Sequence, residues 1–256
     1  DNYNSDANFD NGSCEYPDNG DYSLSFDGVD DYVESGQNIA NVINDEITIM
    51  FKVRPMSSSF IEGKGMFGIV GHSSDWFECR YHHVEGGNKY VFRRYNGSYD
   101  VLLPIDLVPN QWGNYAYTHK RGEIAQVFTN GILTGTDLLS GLNLTPLPAI
   151  SPVFEIGGNS WDYNNGAANR FDGEFGYLII WDYVLSEEEI QSYTNQPPSG
   201  NESGLVAYYQ FNAGSDDILY DHSGSGNHGT LMNMDDSSWM LNGCTDPCYD
   251  EYNPEA

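Results

Sequence analysis

Basic residues are scarce in this chain of 256 residues, which has 10 Lys plus Arg against 38 Asp plus Glu and a formal net charge of −28. A surface with this charge repels a phosphate backbone, so the composition excludes nucleic acid as a partner. The carboxylates also repel one another in the folded state, and divalent cations bound by oxygen ligands relieve that repulsion. The charge therefore predicts Ca²⁺ as a cofactor. The alternative is a surface that is acidic for solubility alone.

Long apolar runs and cysteines are also few. No stretch approaches the ~18 apolar residues that a membrane span needs, and the sequence, which starts at Asp1, does not open on a basic, apolar signal peptide. We therefore expect no membrane insertion, and a processed or excised product. The four cysteines do not form two closely spaced pairs of the zinc-binding kind. They favour disulfides in an oxidising compartment, which predicts a secreted or cell-surface protein.

The residues that are abundant favour β-structure. Aromatic residues, Gly, Asn and Ser are frequent, a composition typical of strands joined by tight turns. Alternating and β-branched runs predict strands, among them 22–26, 47–53 and 174–181, and Asn130-Gly131 is a hairpin-type dipeptide. Repeated strands at this spacing indicate a β-sandwich.

One short helix is expected near residues 186–194. Ser186 can cap its N-terminus, and Glu189 stands three residues later, where it can complete a capping box. Acidic side chains in the first turn are favourable to the helix dipole.

Several motifs resemble, in the same order, landmarks of the laminin-G-like jelly-roll family. They are Phe26-Asp-Gly-Val-Asp-Asp-Tyr-Val33, Phe51-Lys-Val-Arg-Pro55, Asn110-Gln-Trp112, Phe128-Thr-Asn-Gly131, Phe171-Asp-Gly173 and the segment 177–190. The resemblance implies an all-β fold, a two-sheet antiparallel jelly-roll sandwich of the concanavalin A-like kind. The family includes glycan-binding modules, adhesion domains and appendages on enzymes, so the fold alone does not give a function.

The resemblance also suggests how the chain is organised. We expect the sandwich to occupy residues 18–240. Segment 205–231 resembles the strand and loop that usually open such a module, and here it either completes this sandwich or begins a neighbouring one; we favour completion. The sandwich is flanked by residues 1–17 and 241–256, and the start of the first flank resembles the end of the second. They are interpreted as halves of a Cys-containing linker repeat of a large secreted adhesin-like protein, with chance similarity of two polar termini as the alternative.

The linker interpretation bears on the cysteines. Cys14 and Cys244 would be linker cysteines whose partners lie in neighbouring repeats, or which pair with each other if the ends of the domain meet. Cys79 lies in a strand-like segment, where it is either a buried thiol or a member of a disulfide. Sequence alone cannot choose the pairing of four cysteines.

Acidic turns supply the candidate calcium ligands. Segment 221–229 offers the carboxylate of Asp221 and the amide oxygen of Asn227 among glycines that let carbonyl groups turn inward. Asp27, Asp30 and Asp31 lie in a second acidic turn and Asp172 lies in a third, and any of these residues could complete the shell. The alternative for each is Asx-type hydrogen bonding within its own turn.

Two polar and aromatic stretches supply the candidate glycan-binding residues. Trp161 and Tyr163 lie in one predicted loop, and His72, Trp76 and Arg80 belong to the other stretch. Aromatic faces stack on sugar rings, and neighbouring polar groups bond sugar hydroxyls. Ordinary packing in the sandwich is the alternative.

Together these features predict a calcium-dependent carbohydrate-binding or adhesion module, whose partners are an extracellular glycan or cell-surface polysaccharide and neighbouring repeats of the same polypeptide. A purely structural repeat of an extracellular fibre or adhesin stalk is the alternative. An enzyme is disfavoured, because the Glu-x-Asp-x-x-Glu pattern of jelly-roll glucanases, the Gly-x-Ser-x-Gly elbow and phosphate-binding loops are missing from the sequence.

Overall fold

The structure is a computed structural model, and it describes residues 18, 20–35, 39, 46–70, 76–84, 87–95, 100–120, 122–138, 153–158 and 169–242. Most of these residues belong to two β-sheets in which every described pair of strands is antiparallel. The expected all-β jelly-roll sandwich is confirmed. No described helix is long and apolar enough to cross a lipid bilayer.

We call the two sheets the front sheet and the back sheet. The front sheet has the order β10-β9-β8-β3-β12-β1-β16, with β13 also paired to β12, and the back sheet has the order β14-β15-β2-β11-β4-β5-β6-β7. The strands are β1 (Tyr22–Asp27), β2 (Tyr32–Glu34), β3 (Glu46–Pro55), β4 (Gly65–Val70), β5 (Trp76–Val84), β6 (Gly87–Tyr95), β7 (Asp100–Ile105), β8 (Gly113–Lys120), β9 (Ile124–Thr129), β10 (Ile132–Leu138), β11 (Val153–Ile156), β12 (Asp172–Trp181), β13 (Leu205–Tyr209), β14 (Ile218–Leu219), β15 (Gly229–Met232) and β16 (Trp239–Leu241).

The main core lies between the sheets because alternate residues of each strand are apolar. On β3, Ile49, Phe51 and Val53 are fully buried and point to this core. Phe92 of the back sheet stacks on Tyr117 of the front sheet with ring centroids 4.3 Å apart. Contacts of this kind hold the sheets together face to face.

A second apolar cluster lies on the opposite side of the front sheet, under helix α1 (Glu187–Asn195). Trp181 of β12 and Ile190 of the helix are buried there. The predicted capping box is present, because Ser186 Oγ accepts from Glu189 N at 3.2 Å and Glu189 Oε2 accepts from Ser186 N at 2.8 Å. The helix covers one end of this outer side and leaves the other end to form a groove.

Segment 205–231 takes part in both sheets, since β13 pairs with β12 and β15 pairs with β2. The strands nearest the two ends also pair, with Tyr22 opposite Leu241, and Asn242 N donates to Asp21 O at 2.7 Å. The chain thus enters and leaves the sandwich at adjacent points. Residues 1–17 and 243–256, including both proposed linker cysteines, lie outside the described residues.

Candidate functional site

The front groove is a cavity of about 490 Å³ on the outer side of the front sheet, beside the helix-covered cluster. Its floor and walls come from β1, β3, β12, β13 and β16 and from the turn before β8. The lining residues used below are Asp21, Tyr22, Lys52, Arg54, Trp112, Gly176, Tyr177, Tyr208, Gln210, Asn212, Met240 and Leu241.

Two basic side chains lie over the same aromatic ring in this groove. Lys52 and Arg54 point outward because their neighbours on β3, Phe51 and Val53, point to the core. Lys52 Nζ lies 5.1 Å and Arg54 Cζ 5.4 Å from the ring centroid of Trp112, which is the range of a cation–π contact.

The position of Lys52 depends on Gly176, which lies at a β-bulge of β12. A Cβ atom at Gly176 would be 3.0 Å from Cδ of Lys52 and 3.5 Å from the Trp112 ring. The glycine therefore lets the lysine stem lie close to the sheet, where a Cβ atom would shift it by a few tenths of an ångström.

Apart from Lys52, Arg54 and the carboxylate of Asp21, the polar groups that line the groove are neutral. Tyr177 Oη donates to Asn114 Oδ1 at 3.0 Å, and Asn212 Nδ2 donates to Gln210 Oε1 at 2.9 Å. Burial raises the pKa of Tyr177, and burial followed by the charge of Glu202 raises the pKa of Tyr208 to about 12. These tyrosines thus stay protonated at neutral pH, and the groove offers uncharged donors and acceptors beside an aromatic face.

The acidic rim is a group of three carboxylates, Asp27, Asp30 and Asp31, at the turn between β1 and β2. One oxygen of each lies within 4.8 Å of the others. Asp27 Oδ1 accepts from the backbone N–H groups of Val29 at 2.7 Å and Asp30 at 3.3 Å, and Asp31 Oδ2 accepts from Asp27 N at 3.0 Å. The turn therefore holds the carboxylates together, with one oxygen of Asp27 and one of Asp31 left without a hydrogen bond to the described residues.

Asp31 is the buried member of the rim, with 7% of its surface exposed. Its burial raises the pKa of the carboxyl from 3.8 to about 6; a hydrogen bond from Asp27 opposes this shift, and the charges of Asp27, Asp30 and Asp235 add to it. An oxygen-only donor set with mutually repelling charges is what Ca²⁺ binds in proteins, so these residues fit the expected ion.

Asp172 lies next to the rim, since it pairs with Asp27 across β12 and β1. A Cβ atom at Gly28 would be 2.7 Å from Cβ of Asp172. Its Oδ2 accepts a hydrogen bond from Ser58 Oγ. The structure thus brings Asp30, Asp31 and Asp172 to one region, together with Asp27 of the same acidic turn.

Asp221 and Asn227 lie outside this group, in the loop between β14 and β15. The Asp221 carboxylate accepts four hydrogen bonds of 2.9 Å, from the backbone N–H groups of Tyr208, Ser223 and Asn227 and from Ser223 Oγ. This is the loop-closing arrangement offered above as the alternative, and metal coordination would have to break it. Coordination by this pair stays a prediction without geometric support.

Asn227 is held in the same loop. Its Nδ2 donates to Val206 O at 2.8 Å, whereas its buried Oδ1 has no hydrogen-bond partner among the described residues.

The glycan-binding residues predicted from sequence are described only in part. His72, Trp161 and Tyr163 lie outside the described residues, and of Trp76 only the backbone, at the start of β5, is described. Arg80 is buried on the outer side of the back sheet, with Nε 3.3 Å from Glu78 Oε1 and Nη2 3.1 Å from His82 Nδ1. It belongs to an ion-pair network there, away from the front groove.

The adjacent Cys79 points to the main core as a buried free thiol, and burial raises its pKa well above the usual value. Of the two roles left open by the sequence, the structure therefore selects the thiol.

Comparison with known proteins identifies the family. A family model described as the concanavalin A-like lectin/glucanases superfamily matches residues 27–191. The chain belongs to this superfamily. No curated protein matches the chain.

Solved structures agree with the superfamily fold at low identity. A candidate carbohydrate-binding protein from Bacteroides ovatus superposes with a TM-score of 0.61 at 15% identity, over 82% of this chain and 57% of that one. A heptameric SAP-like pentraxin from Limulus polyphemus gives 0.51 at 16% identity, over 70% and 85%. Domain 4 of AbnA, an extracellular GH43 arabinanase from Geobacillus stearothermophilus, solved with arabinotriose, gives 0.50 at 13% identity, over 67% and 76%. This chain thus spans little more than half of the Bacteroides protein.

The front groove of this superfamily domain was not predicted from the sequence, although the spacing of two basic residues indicates it. Lys52 and Arg54 are two of only ten basic residues, and they alternate with apolar residues on one strand. Cations spaced by two on a strand with a buried face indicate a shared outer surface.

Proposed function

We propose that this chain is a carbohydrate-binding module that binds glycan in the front groove. One observation carries the proposal: the ring of Trp112, partly exposed, faces a cavity of about 490 Å³ that also contains neutral tyrosine, amide and backbone groups. Aromatic faces bind the apolar faces of sugars while polar neighbours bond the hydroxyls, and the volume lies in the range of small-ligand sites. The arabinanase domain that shares this fold was solved with an oligosaccharide.

Binding without cleavage is part of the proposal. Glycoside hydrolysis uses a pair of carboxylates across the scissile bond. Among the described residues that line the groove, Asp21 is the one carboxylate. Glu174, near the groove wall, is buried and already bonded by Arg54 and Ser23. The groove is therefore suited to holding a glycan rather than to acid–base chemistry.

We also propose that Ca²⁺ binds the acidic rim through Asp27, Asp30 and Asp31, with Asp172 beside them. The ion would supply positive charge that offsets the repulsion among these carboxylates and would fix the turn between β1 and β2. Since β1 carries Tyr22 in the groove wall, a stable turn helps to hold that wall in place. Placement of the domain in a secreted, repetitive adhesin-like protein is a further part of the proposal, and it rests on the sequence of the flanks.

Glycan binding by matched variants tests the proposal. Trp112→Ala removes the stacking face, and Tyr220→Ala removes a partly buried ring that follows β14 and contacts His228. With calcium present, we expect the wild type and Tyr220→Ala to bind the same members of a glycan array and Trp112→Ala to lose at least about tenfold in affinity, or about 1.4 kcal/mol. Thermal unfolding of each variant serves as the folding control.

A wild type that binds no glycan in the presence of calcium, or a folded Trp112→Ala that binds as the wild type does, would refute the proposal.

A further inference from the structure

We propose that the front groove selects acidic glycans and places a sugar carboxylate or sulfate at Nζ of Lys52. The inference rests on the proposed carbohydrate-binding function and names the class of sugar.

Almost every basic side chain that the structure describes is already paired. Six of them form ion pairs with carboxylates: Arg54, Arg80, Lys89, Arg93, Lys120 and Arg170. Lys64 donates to the carbonyl oxygen of Gly28 at 2.6 Å. Lys52 differs, because its Nζ has no hydrogen bond or ion pair with any described residue and lies 5.1 Å from the ring centroid of Trp112.

An ammonium without a partner among the described residues is unusual in a chain with 38 acidic residues. Two neighbours favour the position of Lys52 over the groove. Gly176 leaves a path for its stem across the sheet, and Trp112 holds its end over the groove. Arg54 takes the nearby carboxylate, because Glu174 Oε1 pairs with Arg54 and Glu174 Oε2 accepts from Ser23 Oγ at 2.9 Å.

The result is an ammonium that has no ion pair with any described residue and lies beside an aromatic face, in a groove whose described lining contains one carboxylate, that of Asp21. An ammonium donates to an anionic oxygen through a short, charge-assisted hydrogen bond, which is stronger than one to a neutral hydroxyl. A uronic acid or a sulfated sugar presents both parts of the complement, an apolar ring face for Trp112 and an anionic oxygen for Lys52. A neutral sugar presents only the apolar ring face.

The acidic charge of the domain determines the salt concentration at which selectivity for acidic glycans should be measured. The net charge of −28 repels polyanions at long range. At ~0.15 M ionic strength the screening length is ~8 Å, so the distant carboxylates contribute little while a contact at Nζ persists. Binding is therefore compared at that salt concentration, with calcium present.

Titration calorimetry with matched oligosaccharides provides the test. The probes are a uronate oligosaccharide, the same oligosaccharide with its carboxyl groups reduced to alcohols, and a sulfated oligosaccharide with its desulfated counterpart. The variants are Lys52→Gln, Lys52→Arg and, as a matched control, Lys89→Gln, which removes a lysine charge from the back sheet.

We expect at least one acidic probe to bind more tightly than its neutral counterpart. Lys52→Gln should lose about tenfold in affinity for that acidic probe and keep its affinity for neutral sugars, whereas Lys52→Arg and Lys89→Gln stay close to the wild type. Preference for the uronate assigns a carboxylate as the bound group, and preference for the sulfated sugar assigns a sulfate.

Equal affinity for acidic and neutral probes, or a Lys52→Gln variant that keeps the acidic preference, overturns this inference while glycan binding through Trp112 stands. Failure of the wild type to bind any probe or any member of the glycan array overturns the proposed function as well.

Discussion

Replacing Asp31 by Asn should stabilise the calcium-free domain at neutral pH. The pKa of Asp31 is raised from 3.8 to about 6 in the folded state, so the folded protein holds this proton more tightly than the unfolded chain does. The stabilisation by protonated Asp31 is complete below about pH 4 and is lost as the pH rises through about 6. A shift of about two pKa units corresponds to about 3 kcal/mol, which solvent screening at the rim reduces to about 1–2 kcal/mol.

Asn resembles the protonated carboxyl, and its side-chain oxygen can still accept from Asp27 N. In urea unfolding with a chelator at pH 7, Asp31→Asn should therefore exceed the wild type in unfolding free energy by about 1–2 kcal/mol. The difference should vanish near pH 4. Added Ca²⁺ should stabilise the wild type more than the variant, because binding to the folded state adds to its stability and the variant lacks a ligand.

Asp137→Asn is the matched control, since it removes the same charge from β10, at the edge of the front sheet opposite to β1 and β16. If Asp31→Asn is no more stable than the wild type in chelator at pH 7, burial of the Asp31 carboxylate does not destabilise the calcium-free folded state. If calcium stabilises the wild type and Asp31→Asn equally, Asp31 is not a ligand.

Three further predictions concern other parts of the sandwich. Asp221→Ala should lower the unfolding free energy by about 2–4 kcal/mol, since it leaves buried N–H groups without an acceptor, and by the same amount in calcium and in chelator; a loss seen only with calcium would contradict the loop-closing role. Ser186→Ala should cost about 1 kcal/mol in urea unfolding through loss of the helix cap, whereas an unchanged midpoint and slope would contradict it. Because Tyr22 and Leu241 are adjacent, Cys14 should form a disulfide with Cys244 or Cys248 of the same chain, which mass analysis of the alkylated, unreduced protein would detect as a linked peptide; full alkylation of these cysteines would exclude it.

Local patterns predicted much of the fold. The capping box at Ser186 and Glu189 places the helix within one residue of its observed start, because a helix end is encoded by residues next to one another in sequence. The apolar alternation of 47–53 likewise locates β3. Strand β5 was harder to predict. Glu78, Arg80 and His82 alternate with core residues on this strand, so the segment as a whole is polar and only one of its two faces is apolar.

The candidate site was less accessible to sequence reasoning, because it depends on long-range contacts. Trp112, Gly176 and Lys52 are separated by about sixty residues each, and only the order of strands in the front sheet brings them together. Asp221 illustrates a second limit of sequence reasoning. Its loop has the composition of a calcium shell, yet the same oxygens are bonded by backbone N–H groups, and composition cannot distinguish these two uses.

The adjacent ends of the sandwich have a mechanical consequence. A pull on the residues before Tyr22 and after Leu241 would load the three residue pairs of β1 and β16 one after another, as in peeling, rather than all together in shear. Tyr22, Met240 and Leu241 of this strand pair also form one wall of the front groove. Tension along the polypeptide would therefore open the groove before it reached the main core, and a bound glycan that bridges this wall to Trp112 would resist the peeling.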